Sequence, residues 1–458
     1  MTKELKSSSR FSLSLLTSLF FMWGFITVLN DILIPHLKGV FDLSYLEAML
    51  VQLAFFGAYF IGGFIYFLIS MISGDPINRM GYKNGLILGL LISAMGTLLF
   101  YPAAHFQMYG FFLSALFVLG LGFAMLQIAA NPYVAILGSE QSASSRLNLS
   151  QGFNSFGTTI GPILGGFFIF EYFKNVQNGA ESVVVPYLVL TVLLLILALV
   201  IWGTKLPQFV NDNKLIKGAG ALRFNQLRLG AVAIFLYVGA EVAIGSFLIS
   251  FLGLEKIAGF DEANASPFVA FYWGGAMIGR FLGAISLSQM EKRKKYGSMF
   301  FVSLLAFAVV FLAVYLKTNI GFEKVIPYLV FLILNYFAFI IGRSLPGRTL
   351  SVFALAPIAL LFVGIFGSHL WAMWAILGIG IFNSIMWSNI FTLAIKGLGE
   401  YTSQGSSILV MFIVGGAILP PIQGAVADLV GVQLSFFVPM ASYVYLVYYG
   451  WKGHRQIE

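Results

Sequence analysis

Apolar runs separated by short polar turns recur along the whole chain. They fall near residues 11–35, 46–73, 86–102, 108–137, 147–170 and 184–204. A longer polar stretch follows, KLPQFVNDNKLIKGAGALRFNQLR, spanning 205–228. Further runs lie near 229–252, 265–289, 298–316, 325–342, 349–367, 371–395, 405–427 and 431–451. Crossing a hydrocarbon core about 30 Å thick takes about 20 apolar residues of helix. The pattern therefore predicts an all-α, polytopic membrane protein with about 14 transmembrane helices. Its organisation reads as an N-terminal six-helix half over 11–204, a cytoplasmic linker over 205–228 and a C-terminal half over 229–451.

The loops carry a matching charge signal. With the N-terminus inside, 21 of the 26 Lys and Arg fall in inner loops or at inner helix ends, Arg280 among them, and 5 fall outside. Cytoplasmic loops are enriched in Lys and Arg. The count supports cytoplasmic N- and C-termini and an even number of spans. The formal net charge of +8 belongs to the same loops and implies no nucleic acid partner.

Two stretches repeat at a fixed distance. NPYVAILG (131–138) matches NIFTLAIK (389–396), and FGTTIGPILGG (156–166) matches VGGAILPPIQG (414–424). Asn131 and Asn389, Gly157 and Gly415, Pro162 and Pro420, and Gly166 and Gly424 all stand 258 residues apart. Parallel repeats of a six-helix half mark the major facilitator fold. Six spans plus a linker would set the offset at about 220, so about 40 residues are added in the second half, enough for two helices. The runs at about 325–367, joined by GRSLPGR, are expected to form this inserted hairpin. No ionisable group lies mid-span there, so a peripheral, lipid-facing role is expected.

Composition narrows the function. The 458 residues are 59% hydrophobic and only 10% charged, against about 25% in soluble domains. Cysteine is absent, which excludes disulfides, thiolate metal sites and Cys nucleophiles. The four His show no H-E-x-x-H spacing, which argues against a metal enzyme. No cofactor motif is present. The first apolar run is too long for a signal-peptide core and is read as a retained span.

Of the 18 Asp and Glu, all but Asp31 and Glu241 fall in loops or at helix ends. A carboxylate in a membrane normally faces a cavity or a partner, because burying it in lipid costs several kcal/mol, about 3 on insertion scales. Amides gather on the same helices: Gln127 with Asn131, Gln151 with Asn154, Asn383 four residues before Trp387, and Asn389 beyond it, with Gln52 on the second span. Any single amide could be interhelical glue. Together with Trp23, Trp273 and Trp387 they suit a small neutral polyhydroxylated ligand. An anionic ligand would need a mid-span Lys or Arg, and with Arg280 read as an inner helix end none sits mid-span. In the loop DPINRMGYKNG (75–85), Asp75, Arg79, Gly81 and Lys83 match G-x-x-x-D-R-x-G-R-K loosely, which makes Asp75 and Arg79 gating candidates.

LNDILIPHL, AANPYVAILG, RLNLSQGFNSFG, YVGAEVAIGSFL and GEYTSQGSSILVM resemble the fucose:proton symporter family of major facilitator sugar transporters. The resemblance is strongest to its glucose/galactose branch in Gram-negative bacteria, over about residues 18–428. It implies a proton-handling role for Asp31 and a sugar-site role for Gln151 and Asn154. The chain departs from the fucose carrier at three site positions. Gln127 stands for a Glu, Glu241 for a Gln and Trp387 for a Tyr.

These readings lead to a cation-coupled monosaccharide symporter of a bacterial inner membrane. It would be a monomer, and its two halves would rock around a central site. Asp31 and Glu241 are the ion-coupling candidates. Gln127, Asn131, Gln151, Asn154, Glu241, Asn383, Trp387 and Asn389 are the sugar-binding candidates. Protons are the expected coupling ion, since an apolar surround favours a carboxyl that changes charge near neutral pH. Sodium is the alternative, bound by oxygens of Asp31, Asn30 and Thr27. A drug exporter and a membrane-embedded sugar sensor are the remoter readings.

Overall fold

The computed structural model describes residues 3–43, 47, 50–166, 179–207, 217–260, 262–318 and 321–455. Lipid offers no hydrogen bonds to a backbone, so spanning segments satisfy their own polar groups as helices. The first half holds α1 (Lys3–Phe41), α2 (Leu50–Ser73), α3 (Pro76–Leu98), α4 (Tyr109–Ile136), α5 (Ala143–Gly166) and α6 (Val184–Gly203). The second begins with α7 (Asn225–Leu252), α8 (Glu262–Ser286), α9 (Lys292–Thr318), α10 (Ile326–Gly342) and α11 (Pro346–Phe366). It ends with α12 (His369–Asn383), α13 (Met386–Ala394), α14 (Thr402–Met411), α15 (Gly415–Val430) and α16 (Phe437–Tyr448). Among the described residues, twelve helical spans are long and apolar enough to cross a bilayer; the more polar α5 and the shorter α10 bring the total to fourteen.

The helices group into two compact units. Unit 1 comprises Met1–Gly138, Phe156–Arg223 and Gly397–Val414; unit 2 comprises Ser139–Ser155, Phe224–Lys396 and Gly415–Glu458. Each unit thus contains a segment from the other half of the sequence, and these segments begin at Ser139 and Gly397, 258 residues apart like the repeat. Within unit 1, α3 packs along α4 and α6, and α2 packs along α4. The described part of the linker is tied down by Gln404 of α14. Its Nε2 donates to Ser70 Oγ (2.8 Å) and Gly218 O (3.0 Å), while its Oε1 accepts from Ala221 N (2.9 Å). Residues 208–216 of the expected linker lie outside the described residues.

Unit 2 repeats this plan with an addition. There α11 packs along α12 and α16, and α8 packs along α12. This makes α11 the counterpart of α3, leaving α9 and α10 without one. On this ground we propose α9 and α10, residues 292–342, as the additional pair, in place of the hairpin expected at about 325–367. Close backbone contacts give the register. A Cβ on Gly157 would lie 2.4 Å from Phe21 O in unit 1, and one on Gly415 would lie 2.1 Å from Phe235 O in unit 2. The glycines stand 258 apart but Phe21 and Phe235 stand 214 apart, so 44 residues enter between α7 and α15. The same register pairs Trp23 with Tyr237 and Thr27 with Glu241.

Gly415 has no room for a methyl group without moving α7, whereas a Cβ on Gly424 would meet only Phe247 Cζ, at 3.7 Å. Gly415→Ala is expected to destabilise by about 1–3 kcal/mol and to lower the unfolding temperature in detergent. Gly424→Ala, on the same helix, should leave it unchanged or slightly raised.

Candidate functional site

Unit 1 gathers a polar cluster where α1, α2 and α4 meet. Trp23 Nε1 donates to Tyr59 Oη at 3.3 Å, and the same hydroxyl is hydrogen-bonded to the side chains of Thr27 and Gln127. Thr27 Oγ1 also donates to Trp23 O, one turn back, at 2.9 Å. Asn131 Nδ2 donates to Gln127 O at 3.0 Å. Phe20, Phe55 and Phe123 pack around Trp23 and Tyr59 and keep the cluster apolar at its back. Two expected residues, Thr27 and Gln127, thus meet through Tyr59, which the sequence reading did not single out, and Asn131 follows Gln127 one turn later on α4. Asp31 lies one turn after Thr27 on α1. Its side chain and that of Asn30 lie outside the described residues.

The cluster of unit 2 forms at a break in a helix. The chain leaves α12 at Asn383 and enters α13 at Met386. A break of this kind frees carbonyls that an unbroken helix would bond internally. Tyr237 Oη takes Asn383 O at 3.2 Å, and Arg280 Nε takes Ser384 O at 3.2 Å. Asn383 itself bridges two tyrosines: its Oδ1 accepts from Tyr443 Oη at 2.6 Å, and its Nδ2 donates to Tyr272 Oη at 2.8 Å. Tyr272 Oη donates onward to Glu241 O at 2.9 Å. The Glu241 carboxylate is hydrogen-bonded to Tyr237, feels the charge of Arg280 and is 9% exposed. Arg280 also donates to Ser155 Oγ. Glu241 and Asn383 are therefore brought together within a shell of Tyr237, Tyr272, Tyr443 and Arg280.

The other expected residues divide. Gln151 is buried and Asn154 half-buried in the 139–155 segment of unit 2, where Gly152 packs on Phe281, the neighbour of Arg280. Trp387 stacks on Phe391 at 5.0 Å. Asn389 stands apart from Glu241: its Oδ1 accepts from Asn148 Nδ2 (3.2 Å) and its Nδ2 donates to Pro346 O (3.2 Å), which fastens α5 and α11 to α13. Asp75 is the N-cap of α3. Its Oδ1 accepts from Ile77 N (2.9 Å), Asn78 N (3.4 Å) and Tyr66 Oη (2.6 Å), and Pro76 opens the helix. Arg79 is exposed, and Lys83 caps the end of α6 by donating to Trp202 O and Thr204 O. Tyr59, Tyr272 and Tyr443 gave no distinguishing signal among 20 tyrosines. Arg280 had one, as a cation on an apolar helix, but read as an inner helix end.

Comparison with known proteins follows this geometry. The Major Facilitator Superfamily profile matches residues 11–347. A glucose/galactose transporter of Brucella abortus biovar 1 (strain 9-941) is 42% identical over 450 residues, covering 97% of this chain and 94% of that protein. The L-fucose-proton symporter of Escherichia coli (strain K12) is 31% identical over 447 residues, covering 91% of this chain and 87% of that protein. A crystal structure of a variant of the E. coli fucose:proton symporter, FucP, superposes with a TM-score of 0.75 at 28% identity, covering 98% of this chain and all of that one.

Asp75 lies outside the spans and carries a pH signature. Burial lifts its carboxyl above the ordinary value of 3.8, against the hydrogen bond from Tyr66. The folded state then holds this proton more tightly than the unfolded one. The penalty is absent below about 3.8, grows as pH rises through the lifted value and is constant above it. Asp75→Asn keeps an oxygen for the cap and removes the titration. Unfolding temperatures measured against pH should therefore converge or cross as the medium is acidified, with the wild type gaining on the variant. A pH-independent difference would contradict the assignment.

Proposed function

The chain belongs to the Major Facilitator Superfamily, in the fucose:proton symporter family on its glucose/galactose branch, and from that premise we propose that it imports a neutral hexose by alternating access, coupled to protons. Members of this family are transporters and not enzymes. The observation that carries the sugar reading is the broken helix at Asn383. Around it sit one carboxylate, one amide and three phenols, groups that donate and accept without a net anion-binding charge. Glu241 offsets the nearby Arg280, so the cluster suits hydroxyls better than an anionic substrate. The relatives named glucose/galactose transporter and L-fucose-proton symporter support the same class. Glucose or galactose fits better than fucose because the chain departs from the fucose carrier at Gln127, Glu241 and Trp387. The membrane is a bacterial inner membrane, with both termini cytoplasmic.

Asp31 is the coupling residue in this reading. An ion-coupled carrier needs a group whose charge differs between the loaded and empty states. Thr27 Oγ1 is already engaged by Trp23 O and Tyr59, which favours protons over a sodium site built from Thr27, Asn30 and Asp31. Counterflow in proteoliposomes against glucose, galactose and fucose tests the substrate. No counterflow with any of them would sink the hexose reading. Uptake driven by a pH gradient in sodium-free buffer, and collapsed by a protonophore, tests the ion; accumulation only under a sodium gradient would overturn proton coupling.

Two variants separate coupling from binding. Asp31→Asn should abolish uphill accumulation and retain counterflow. Glu241→Gln should weaken sugar affinity roughly 10- to 100-fold, the loss of a charge-assisted hydrogen bond of about 1.5–3 kcal/mol, with expression maintained. An unchanged dissociation constant would remove Glu241 from the sugar site.

A further inference from the structure

The additional helix pair was expected to be peripheral, yet α10 has a buried polar stripe. Tyr328, Phe331, Leu332, Asn335, Ala338 and Phe339 form its buried face, while Val330, Ile333, Leu334, Phe337 and Ile341 are about half exposed on the other. Tyr328 and Asn335 are both fully buried and both reach backbone carbonyls beside the unit 2 cluster. Tyr328 Oη donates to Phe271 O at 2.7 Å, one residue before Tyr272. Asn335 Nδ2 donates to Ile381 O at 3.4 Å, two residues before Asn383. The helices are close here: a Cβ on Gly275 would lie 2.5 Å from Tyr328 Oη. Asn335 Oδ1 is buried without a hydrogen bond. An unpaired amide oxygen is destabilising, so packing alone does not account for an amide at this position.

We infer that α10 is a positioning element for the sugar site, with Tyr328 and Asn335 as its positioning residues. Tyr272 and Asn383 share a hydrogen bond and stand on α8 and at the end of α12. Tyr328 holds the α8 side of that pair and Asn335 the α12 side. Separation of the two helices by a fraction of an ångström would lengthen the Tyr272–Asn383 bond and shift Glu241's neighbour. A helix pair that unit 1 lacks therefore sets the geometry of one cluster and not of the other. Lys295 of α9 anchors the pair to α8: its Nζ donates to Ser286 O (3.0 Å), Ser288 O (2.7 Å) and Ser344 Oγ (2.9 Å). The inference rests on the hexose reading for its substrate, but the geometric claim does not.

Tyr328→Phe deletes one hydroxyl and Asn335→Leu replaces the amide by an apolar group of the same branching, neither of them among the sugar-binding candidates. Each is expected to raise the counterflow KM about 2- to 10-fold, the effect of one neutral hydrogen bond, with maximal rate per folded transporter unchanged. A purely structural role would lower the unfolding temperature and leave KM and sugar preference where they were, which would overturn the inference. A second measurement needs no sugar: a double-mutant cycle in unfolding temperature between Asn335→Leu and Asn383→Ala. Non-additive effects support α10 as the element that positions Asn383, even if the wild type moves none of the three hexoses and the hexose reading fails. Strict additivity overturns the positioning role, even if transport is intact.

Discussion

Inside a bilayer a polar group has no water to turn to, so each buried donor and acceptor must find a partner in the protein or remain costly. That constraint organises the chemistry of both units. The break between α12 and α13 would be unfavourable if its carbonyls were left in hydrocarbon. Tyr237 and Arg280 take up Asn383 O and Ser384 O instead, and these same groups surround Glu241. The residues that make the break tolerable are thus the residues that make the cluster polar. Unit 1 keeps α4 unbroken and centres its cluster on the Tyr59 hydroxyl, which joins side chains of α1 and α4.

The two clusters are related by the repeat but are not copies. In the register set by the Phe21–Gly157 and Phe235–Gly415 contacts, Trp23 corresponds to Tyr237 and Thr27 to Glu241. A neutral hydroxyl in the first unit is therefore a carboxylate in the second. The carboxylate within the apolar run of α1 comes one turn later in sequence, at Asp31. The asymmetry leaves the carboxylate of unit 2 held among tyrosines and a guanidinium. The exchange of equivalent segments between units, 139–155 for 397–414, follows the same repeat.

The loop after α2 gives its gating candidates a structural task. Asp75 sits where a gating acid would sit, yet its oxygen is occupied by the first amides of α3 and by Tyr66. An N-cap of this kind contributes about 1 kcal/mol to a helix. Lys83 is likewise a cap, for α6. Arg79 alone of that trio is left to solvent.

Hydropathy and charge are local quantities, and what depends on them was legible in the chain itself: the membrane class, the fourteen spans, the added pair and its approximate size. The repeat was legible because Asn131, Gly157 and their partners keep one spacing. The polar candidates were legible because an amide or carboxylate is conspicuous in an apolar run, as Gln127, Glu241 and Asn383 are. Which helices touch is a non-local matter, and only the tertiary structure decided it. It separated Asn389, a fastener of three helices, from Asn383, four residues before Trp387 and equally plausible by spacing. It also supports our assignment of the added pair to α9 and α10 in place of 325–367, because hydropathy is alike in every span and only packing partners reveal a counterpart. Tyr59, Tyr272, Tyr443 and Tyr328 entered for the same reason. A phenol packs as readily as it hydrogen-bonds, and its role is set by the carbonyl or amide that another helix brings to its hydroxyl.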